Sequence, residues 1–137
     1  MTIGKEFFSS LLGDWALFAL RIGIATSFII HGSQKWPMWK MEPSAQMPAS
    51  MLSLLRFLSI VEPLGGVAVL LGFLTQVAAA GFGIIMIGAI RLKAIQMHKK
   101  FGEAGGWELD FILLAGAIGL FFLGGGQFSL DRLLFRI

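Results

Sequence analysis

Residues 15–36, WALFALRIGIATSFIIHGSQKW, form a long apolar stretch with a tryptophan at each end. The interval from Trp15 to Trp36 corresponds to about 31 Å of α-helix, which matches the roughly 30 Å thickness of a bilayer's hydrocarbon core. Indole rings prefer the membrane–water interface, where one edge of the ring is hydrated. The stretch therefore predicts a membrane-spanning helix bracketed by its two tryptophans.

Three further stretches are similarly apolar, at residues 53–74, 76–98 and 107–124. Each holds about 18–23 residues, the length that an α-helix needs to cross a membrane. The chain of 137 residues is 56% apolar and only 14% charged, with a mean hydropathy of +0.80. Because this composition is too apolar for a soluble domain, the sequence predicts an all-α fold, an integral membrane four-helix antiparallel bundle.

The connections between these stretches predict a single domain over residues 1–137. The turn LGFLTQVAA leaves almost no loop between the second and third helices, so these should form an antiparallel hairpin. Residues 37–50 form the longest connection, and their three prolines exclude a continuous helix. The amino-terminal segment has a single lysine, an early aspartate and no small-residue cleavage site, so we expect a retained helix and no cleaved signal peptide.

The tryptophans and the basic residues also predict topology. Trp36, Trp39 and Trp107 fall on one membrane side, called side B, whereas both termini and the short turn fall on side A. Side B collects most of the basic residues: Lys35, Lys40, Arg56, Lys99 and Lys100, with Arg91 and Lys93 within reach. Side A holds Lys5, Arg132 and Arg136. The positive-inside rule then places both termini outside the cytoplasm.

Composition also excludes several kinds of chemistry. The chain has no cysteine, which removes disulfides, thiolate metal sites, iron–sulfur clusters and covalently attached haem. The pI of about 9.7 arises from lysines and arginines at helix ends, so it indicates membrane anchoring and no nucleic-acid partner. The glycine groups GFG and LGGGQF do not follow a strand, so they do not predict a phosphate-binding loop.

Ionisable residues inside the predicted helices are the candidates for function, because each costs several kcal/mol in a bilayer unless it is paired or hydrated. Counting along the helices places His31 about 7 Å and Glu62 about 13 Å from side B, and Arg21 about 9 Å from side A. We expect His31 and Glu62 to be the catalytic residues of one intramembrane site. The wider set predicted to bind a cofactor is Arg21, His31, Lys35, Glu62, Arg91, His98 and Glu108, and Asp110 lies at a similar depth to Glu108.

Structural roles compete with this interpretation. Lysines such as Lys35, Lys99 and Lys100 commonly reach back to the headgroups as anchors. Arg21 and Arg91 could serve only as counter-ions for Glu62, while His98 and Glu108 lie close enough to side B for solvation. We assign no metal-ligating residues, because the helices carry no Glu-x-x-His or His-x-x-x-His pair, and a bound metal ion stays open as an alternative. Non-covalent haem on His31 and His98 stays open as an alternative.

Three segments together resemble the DoxX family of small prokaryotic membrane proteins: RIGIATSFIIHGSQKW, VEPLGGVAVLLGFLTQVAA and MHKKFGEAGGWELDFILLAGAIGLFFLGGGQFSLD. The residues that carry the resemblance are Arg21, His31, Gly32, Lys35, Glu62, Gly65, Gly66, His98, Gly106, Trp107, Glu108, Gly126, Ser129 and Asp131. The resemblance implies a four-helix, multi-pass protein of the cell inner membrane. It also implies a relationship to the small subunit of thiosulfate:quinone oxidoreductase.

Three functions follow as hypotheses. In the first, the chain is a membrane subunit of a quinone-linked oxidoreductase, in which His31 or an arginine binds a quinone oxygen and Glu62 relays protons. Its partners would be membrane lipid, a soluble or membrane-bound redox protein, and further copies of the chain as a homo-oligomer. In the second, the chain is a non-catalytic anchor or assembly factor for a partner protein. Small-solute transport by an oligomer is a third hypothesis.

Overall fold

The computed structural model describes residues 2–136, which form helices and connecting loops with no strand in that range. The long helices are α1 (Thr2–Ser33), α2 (Ala49–Leu71), α3 (Thr75–Arg91) and α4 (Glu108–Leu123), followed by the short α5 (Leu130–Phe135). A 3₁₀ helix occupies Trp36–Lys40, and a π-helical turn extends α3 over Leu92–Gln96. The predicted domain limits at residues 1 and 137, and the side chain of Lys5, lie outside the described part.

Three helical segments are long and apolar enough to cross a membrane: Glu6–Lys40, Ala49–Leu71 and Thr75–Gln96. They confirm the prediction of an all-helical chain with membrane-spanning helices. The fourth predicted span, 107–124, corresponds to α4, whose 16 residues rise about 24 Å and so fall short of a full hydrocarbon core. Gly124, at a φ of 73°, ends α4 there.

The observed helix limits differ from the predicted ones for local reasons. α1 already includes Thr2, the first described residue, and residues 2–14 contain no proline that would interrupt the helix ahead of the predicted span. α2 starts immediately after Pro48, whose extended backbone is a common lead into a helix. It ends at Gly72, which adopts the left-handed conformation that glycine tolerates best.

The helices pack as two pairs, α1 on α2 and α3 on α4. At the α1–α2 contact a Cβ on Gly66 would lie only 2.9 Å from the Ala25 carbonyl oxygen, so the glycine permits close approach of the two backbones. Phe28 of α1 stacks on Phe82 of α3, with ring centroids 3.6 Å apart and planes within 2°. This stack belongs to the buried core that joins the two pairs.

Arg21 ties the side A end of the structure together. Its guanidinium is 1% exposed and donates four hydrogen bonds of 2.6–3.0 Å to backbone carbonyls, those of Val69, Leu70, Gly125 and Phe128. The last carbonyls of a helix have no partner within the helix. Arg21 therefore satisfies the end of α2 and binds it to the loop that follows α4.

Asp131 stabilises the start of α3 at the same side A end of the structure. Its two carboxylate oxygens accept hydrogen bonds from the backbone N–H groups of Leu74 (2.6 Å) and Thr75 (2.8 Å), the first free donors of α3. Leu74 has a φ of 48°, a conformation that side-chain-bearing residues rarely adopt. The short 2–3 turn is thus held in a strained shape by a residue more than fifty positions away in sequence.

We expect Gly72→Ala to lower the free energy of unfolding by about 2–4 kcal/mol. Gly72 has a φ of 69°, and an added Cβ would overlap Ser129 Cβ and lie 2.7 Å from Arg21 Nη2. The measurement is reversible unfolding in mixed micelles, followed by circular dichroism. The control is Gly23→Ala in the middle of α1, where a Cβ meets nothing within 4 Å and alanine should stabilise slightly. Equal stabilities of the two variants would contradict the prediction.

Candidate functional site

A cavity of about 640 Å³ lies between the helices in the side B half of the structure. Most of its wall is apolar, formed by α1, α2, α3 and α4. Its polar lining residues are His31, Lys35, Glu62, Arg91, Lys93, Gln96 and Asp110. An apolar cavity with a few convergent polar groups is the usual form of a small-molecule site.

Glu62 lies near the middle of α2 with its side chain only 3% exposed. Lys35, just beyond the end of α1, places its Nζ 2.5 Å from Glu62 Oε2 and 3.0 Å from the His31 carbonyl oxygen. The lysine side chain is 21% exposed, so the pair is shielded on the carboxylate side and partly open on the ammonium side. The counter-ion of Glu62 is therefore Lys35, and Lys35 is not a free headgroup anchor.

Pro63, the residue after Glu62, explains how Trp36 and Trp39 are bound to α2. Pro63 lies inside α2 and has no N–H, so the carbonyl of Ser59 loses its normal helical partner. The indole N–H of Trp36 donates to that carbonyl at 3.1 Å, and the indole of Trp39 donates to the Ser59 hydroxyl at 2.9 Å. The proline thus creates an acceptor that fixes the 3₁₀ helix against α2, close to the Lys35–Glu62 pair.

A second ion pair lines the same cavity from the other pair of helices. Lys93 Nζ lies 2.7 Å from Asp110 Oδ2, and Asp110 is 7% exposed. The π-helical turn Leu92–Gln96 carries Lys93, and such turns are frequent at functional sites because they redirect side chains. Two ion pairs, one from α1–α2 and one from α3–α4, therefore lie on one apolar cavity.

The structure brings some of the predicted site residues together and leaves others apart. His31, Lys35, Glu62 and Arg91 line the cavity. Arg21 does not, because its guanidinium donates to four backbone carbonyls at the side A end. His98 and Glu108 are exposed and are not among the lining residues.

Lys93, Gln96 and Asp110 are lining residues outside the predicted cofactor-binding set, although Asp110 was expected at the same depth as Glu108. Glu108 and Asp110 are two positions apart on one helix, so only one of them can face inward. The buried stripe of α4 is Asp110, Leu113, Ala117 and Leu120, at helical spacing. Asp110 lies three positions before Leu113, the first apolar residue of this stripe. The helical spacing could therefore have identified Asp110 as the acidic residue that faces inward. Lys93 carried no comparable signal, because its position depends on the π-helical turn.

Within residues 2–136 no group of three or more His, Asp or Glu side chains is arranged to hold a metal ion. His31 lines the cavity and His98 does not, so the cavity does not offer the pair of axial ligands considered for haem. The groups that the cavity presents are hydrogen-bond donors and carboxylates. They suit an organic molecule that has polar oxygens.

Comparison with known proteins gives one family and two relatives. The DoxX family model matches residues 16–98, more than half of the chain. "Uncharacterized membrane protein Rv3486" of Mycobacterium tuberculosis is 42% identical over 82 residues, which cover 53% of this chain and only 50% of that relative. "Putative oxidoreductase CatD" of Bacillus subtilis is 31% identical over 121 residues, 85% of each chain. No solved structure shows a significant match. This chain belongs to the DoxX family and is a multi-pass membrane protein.

Proposed function

We propose that this protein is an inner-membrane subunit of a quinone-linked redox system, built as a four-helix antiparallel bundle whose cavity binds the quinone. The observation that carries the proposal is the Lys35–Glu62 pair on an apolar cavity within membrane-spanning helices. The name of the Bacillus subtilis relative supports a redox role. In this bundle α4 crosses with its 16 residues, which a locally thinned bilayer accommodates at modest cost.

The polar groups fit the needs of quinone chemistry. A quinone oxygen accepts hydrogen bonds, and Lys35 and a protonated nitrogen of His31 are donors on the cavity wall. Reduction to the quinol takes up two electrons and two protons. The electrons would come from a partner redox protein, and Glu62 would pass protons from side B because its buried carboxylate lines the cavity and pairs with the partly exposed Lys35.

The test is quinone reduction in native membranes that contain the natural electron donor, with a parallel assay of quinone binding to the purified protein. Glu62→Gln keeps the shape and a hydrogen-bond acceptor for Lys35 but removes the titrating proton. We expect turnover to fall by at least about 100-fold. We expect His31→Ala to weaken quinone binding by about tenfold, the effect of one lost hydrogen bond.

The control is Glu108→Gln, the same chemical change at an exposed position off the cavity, which should keep normal turnover. Expression and thermal stability are measured for each variant, so that loss of folded protein is not mistaken for loss of chemistry. Full turnover in both Glu62→Gln and His31→Ala at unchanged expression would refute the proposal.

A non-catalytic anchor or assembly factor is the second candidate, and one observation favours it. The Lys35–Glu62 pair joins α1 to α2 and the Lys93–Asp110 pair joins the π-helical extension of α3 to α4, so each pair links two helices that already pack together. Both pairs would then serve only to hold the bundle together. This candidate predicts that every cavity substitution acts through stability alone.

A further inference from the structure

The cavity wall is closed on one side and open on the other. Lining residues from α1 and α4, such as Phe28 and Leu113, are buried. In contrast, Leu54 and Phe57 of α2 are 49% and 60% exposed, and Ile84 of α3 is 72% exposed. These three residues and the exposed Gly88 of α3 define what we call the lateral opening.

The opening lies between α2 and α3, two neighbouring helices that pack sparsely on each other. α2 and α3 are joined by the short turn at Gly72, and near that end Gly65 of α2 packs directly on the ring of Phe82. Over their whole lengths α2 and α3 make far less contact with each other than α1 makes with α2 or α3 with α4. The helices pack as the pairs α1–α2 and α3–α4, so a gap remains between α2 and α3. The cavity occupies this gap on the side B half.

The depth of the opening places it in the hydrocarbon layer. Ile84 is about 13 Å along the segment Thr75–Gln96. Phe57 is about 12 Å along the segment Ala49–Leu71. Both residues are near the middle of segments that cross the membrane, so the exposed apolar faces at the opening contact lipid chains and not water.

We infer that the cavity is reached sideways from the bilayer through the lateral opening, and that its ligand is a membrane-dissolved amphiphile. A polar head would reach the Lys35–Glu62 pair, and an apolar tail would leave between Phe57 and Ile84. This inference rests on the proposed function for the identity of the site and narrows its ligand to the lipid-soluble, long-tailed quinone class. A water-soluble ligand would have no reason for an apolar opening at mid-membrane depth.

A tryptophan at position 88 tests the inference, because it would cover the opening. A Cβ on Gly88 meets nothing within 4 Å, so a larger side chain at this position starts in open space. Gly81→Trp is the matched control: it lies about two turns earlier on nearly the same face of α3, its Cβ also meets nothing within 4 Å, and it is not a lining residue.

The probe is an apolar diazirine amphiphile dissolved in liposomes that contain the protein, with labelled residues mapped by mass spectrometry. Met86 is the reporter, because it lines the cavity but is only 6% exposed. We expect Met86 to be labelled in the native protein and in Gly81→Trp, and labelling to be lost in Gly88→Trp. Equal labelling in both variants, or labelling of Met86 only by a water-soluble diazirine, would overturn lateral access.

This experiment separates the inference from the proposed function. Labelling of Met86 that is lost in Gly88→Trp, with no quinone bound by the purified protein, would leave lateral access standing and refute the quinone site. Quinone turnover that persists in Gly88→Trp, with Met86 still labelled, would refute lateral access and leave the quinone site standing. Each result decides one of the two statements.

Discussion

Replacing Arg21 with methionine is expected to lower the free energy of unfolding by about 4–5 kcal/mol, the largest loss predicted for a single substitution in this protein. Hydrogen bonds to a charged donor are worth about 1.5–3 kcal/mol each, and Arg21 makes four of them at 1% exposure. Methionine fills much of the same volume as arginine, so Arg21→Met should create little cavity. The lost unfolding free energy should therefore come mainly from the missing hydrogen bonds to the carbonyls.

The measurement is reversible unfolding in mixed micelles, monitored by circular dichroism and tryptophan fluorescence. Arg21→Lys should recover part of the loss, because an ammonium reaches fewer of the carbonyls than the guanidinium does. Arg132→Met is the control, since Arg132 is exposed on α5. A loss below about 1 kcal/mol for Arg21→Met, in the range of ordinary surface changes, would show that Arg21 does not hold the side A end together.

The second large effect is expected at the Lys35–Glu62 pair. Lys35→Met alone should destabilise the protein by about 3 kcal/mol, because it leaves the Glu62 carboxylate buried without its partner. Adding Glu62→Gln to that variant should recover most of the lost stability, since replacing both members of a buried pair is often nearly neutral. The pair is then coupled in stability, which a double-mutant cycle measures directly.

The double variant also separates the two candidate functions. If the pair serves the proposed quinone chemistry, the double variant is folded and stable but shows no quinone-linked turnover. If the pair only holds α1 against α2, the double variant should support normal function of the partner complex. Lys93→Met with Asp110→Asn provides the matched comparison on the other pair of helices. Additive losses from Lys35→Met and Glu62→Gln would show that the two residues do not act as a pair.

Membrane localisation, helical class and family were predictable from the sequence and are confirmed. The physical reason is that these properties depend on the length and hydrophobicity of segments, which can be counted along the chain. The short turn after α2 was predictable for the same reason, because few residues separate two apolar stretches. α4 has only 16 residues, fewer than the span predicted from the hydrophobic stretch. Its crossing of the membrane stays a proposal.

The depth of the candidate site stays a prediction, and the structure brings only some of the predicted residues to one cavity. His31 and Glu62 fall in the side B half because each helix advances about 1.5 Å per residue, and both residues line the one cavity. The sequence offered Arg21 and Arg91 as counter-ions for Glu62 and treated Lys35 as a headgroup anchor, and the structure corrects both expectations. Only the tertiary structure assigns Lys35, because the choice depends on which side chain's length and direction bring its charge to the carboxylate.

Arg21 and Asp110 show what the sequence alone left undecided. By depth and charge Arg21 was equally suited to the site and to a structural role, and its four carbonyl partners come from segments distant in sequence. Asp110 faces the cavity and Glu108 does not because packing against α3 sets the rotation of α4. The sequence by itself determined the membrane environment and the helical class, since both follow from the length and hydrophobicity of its segments. The tertiary structure decided which charges meet, because that depends on helix rotation and on contacts between distant segments.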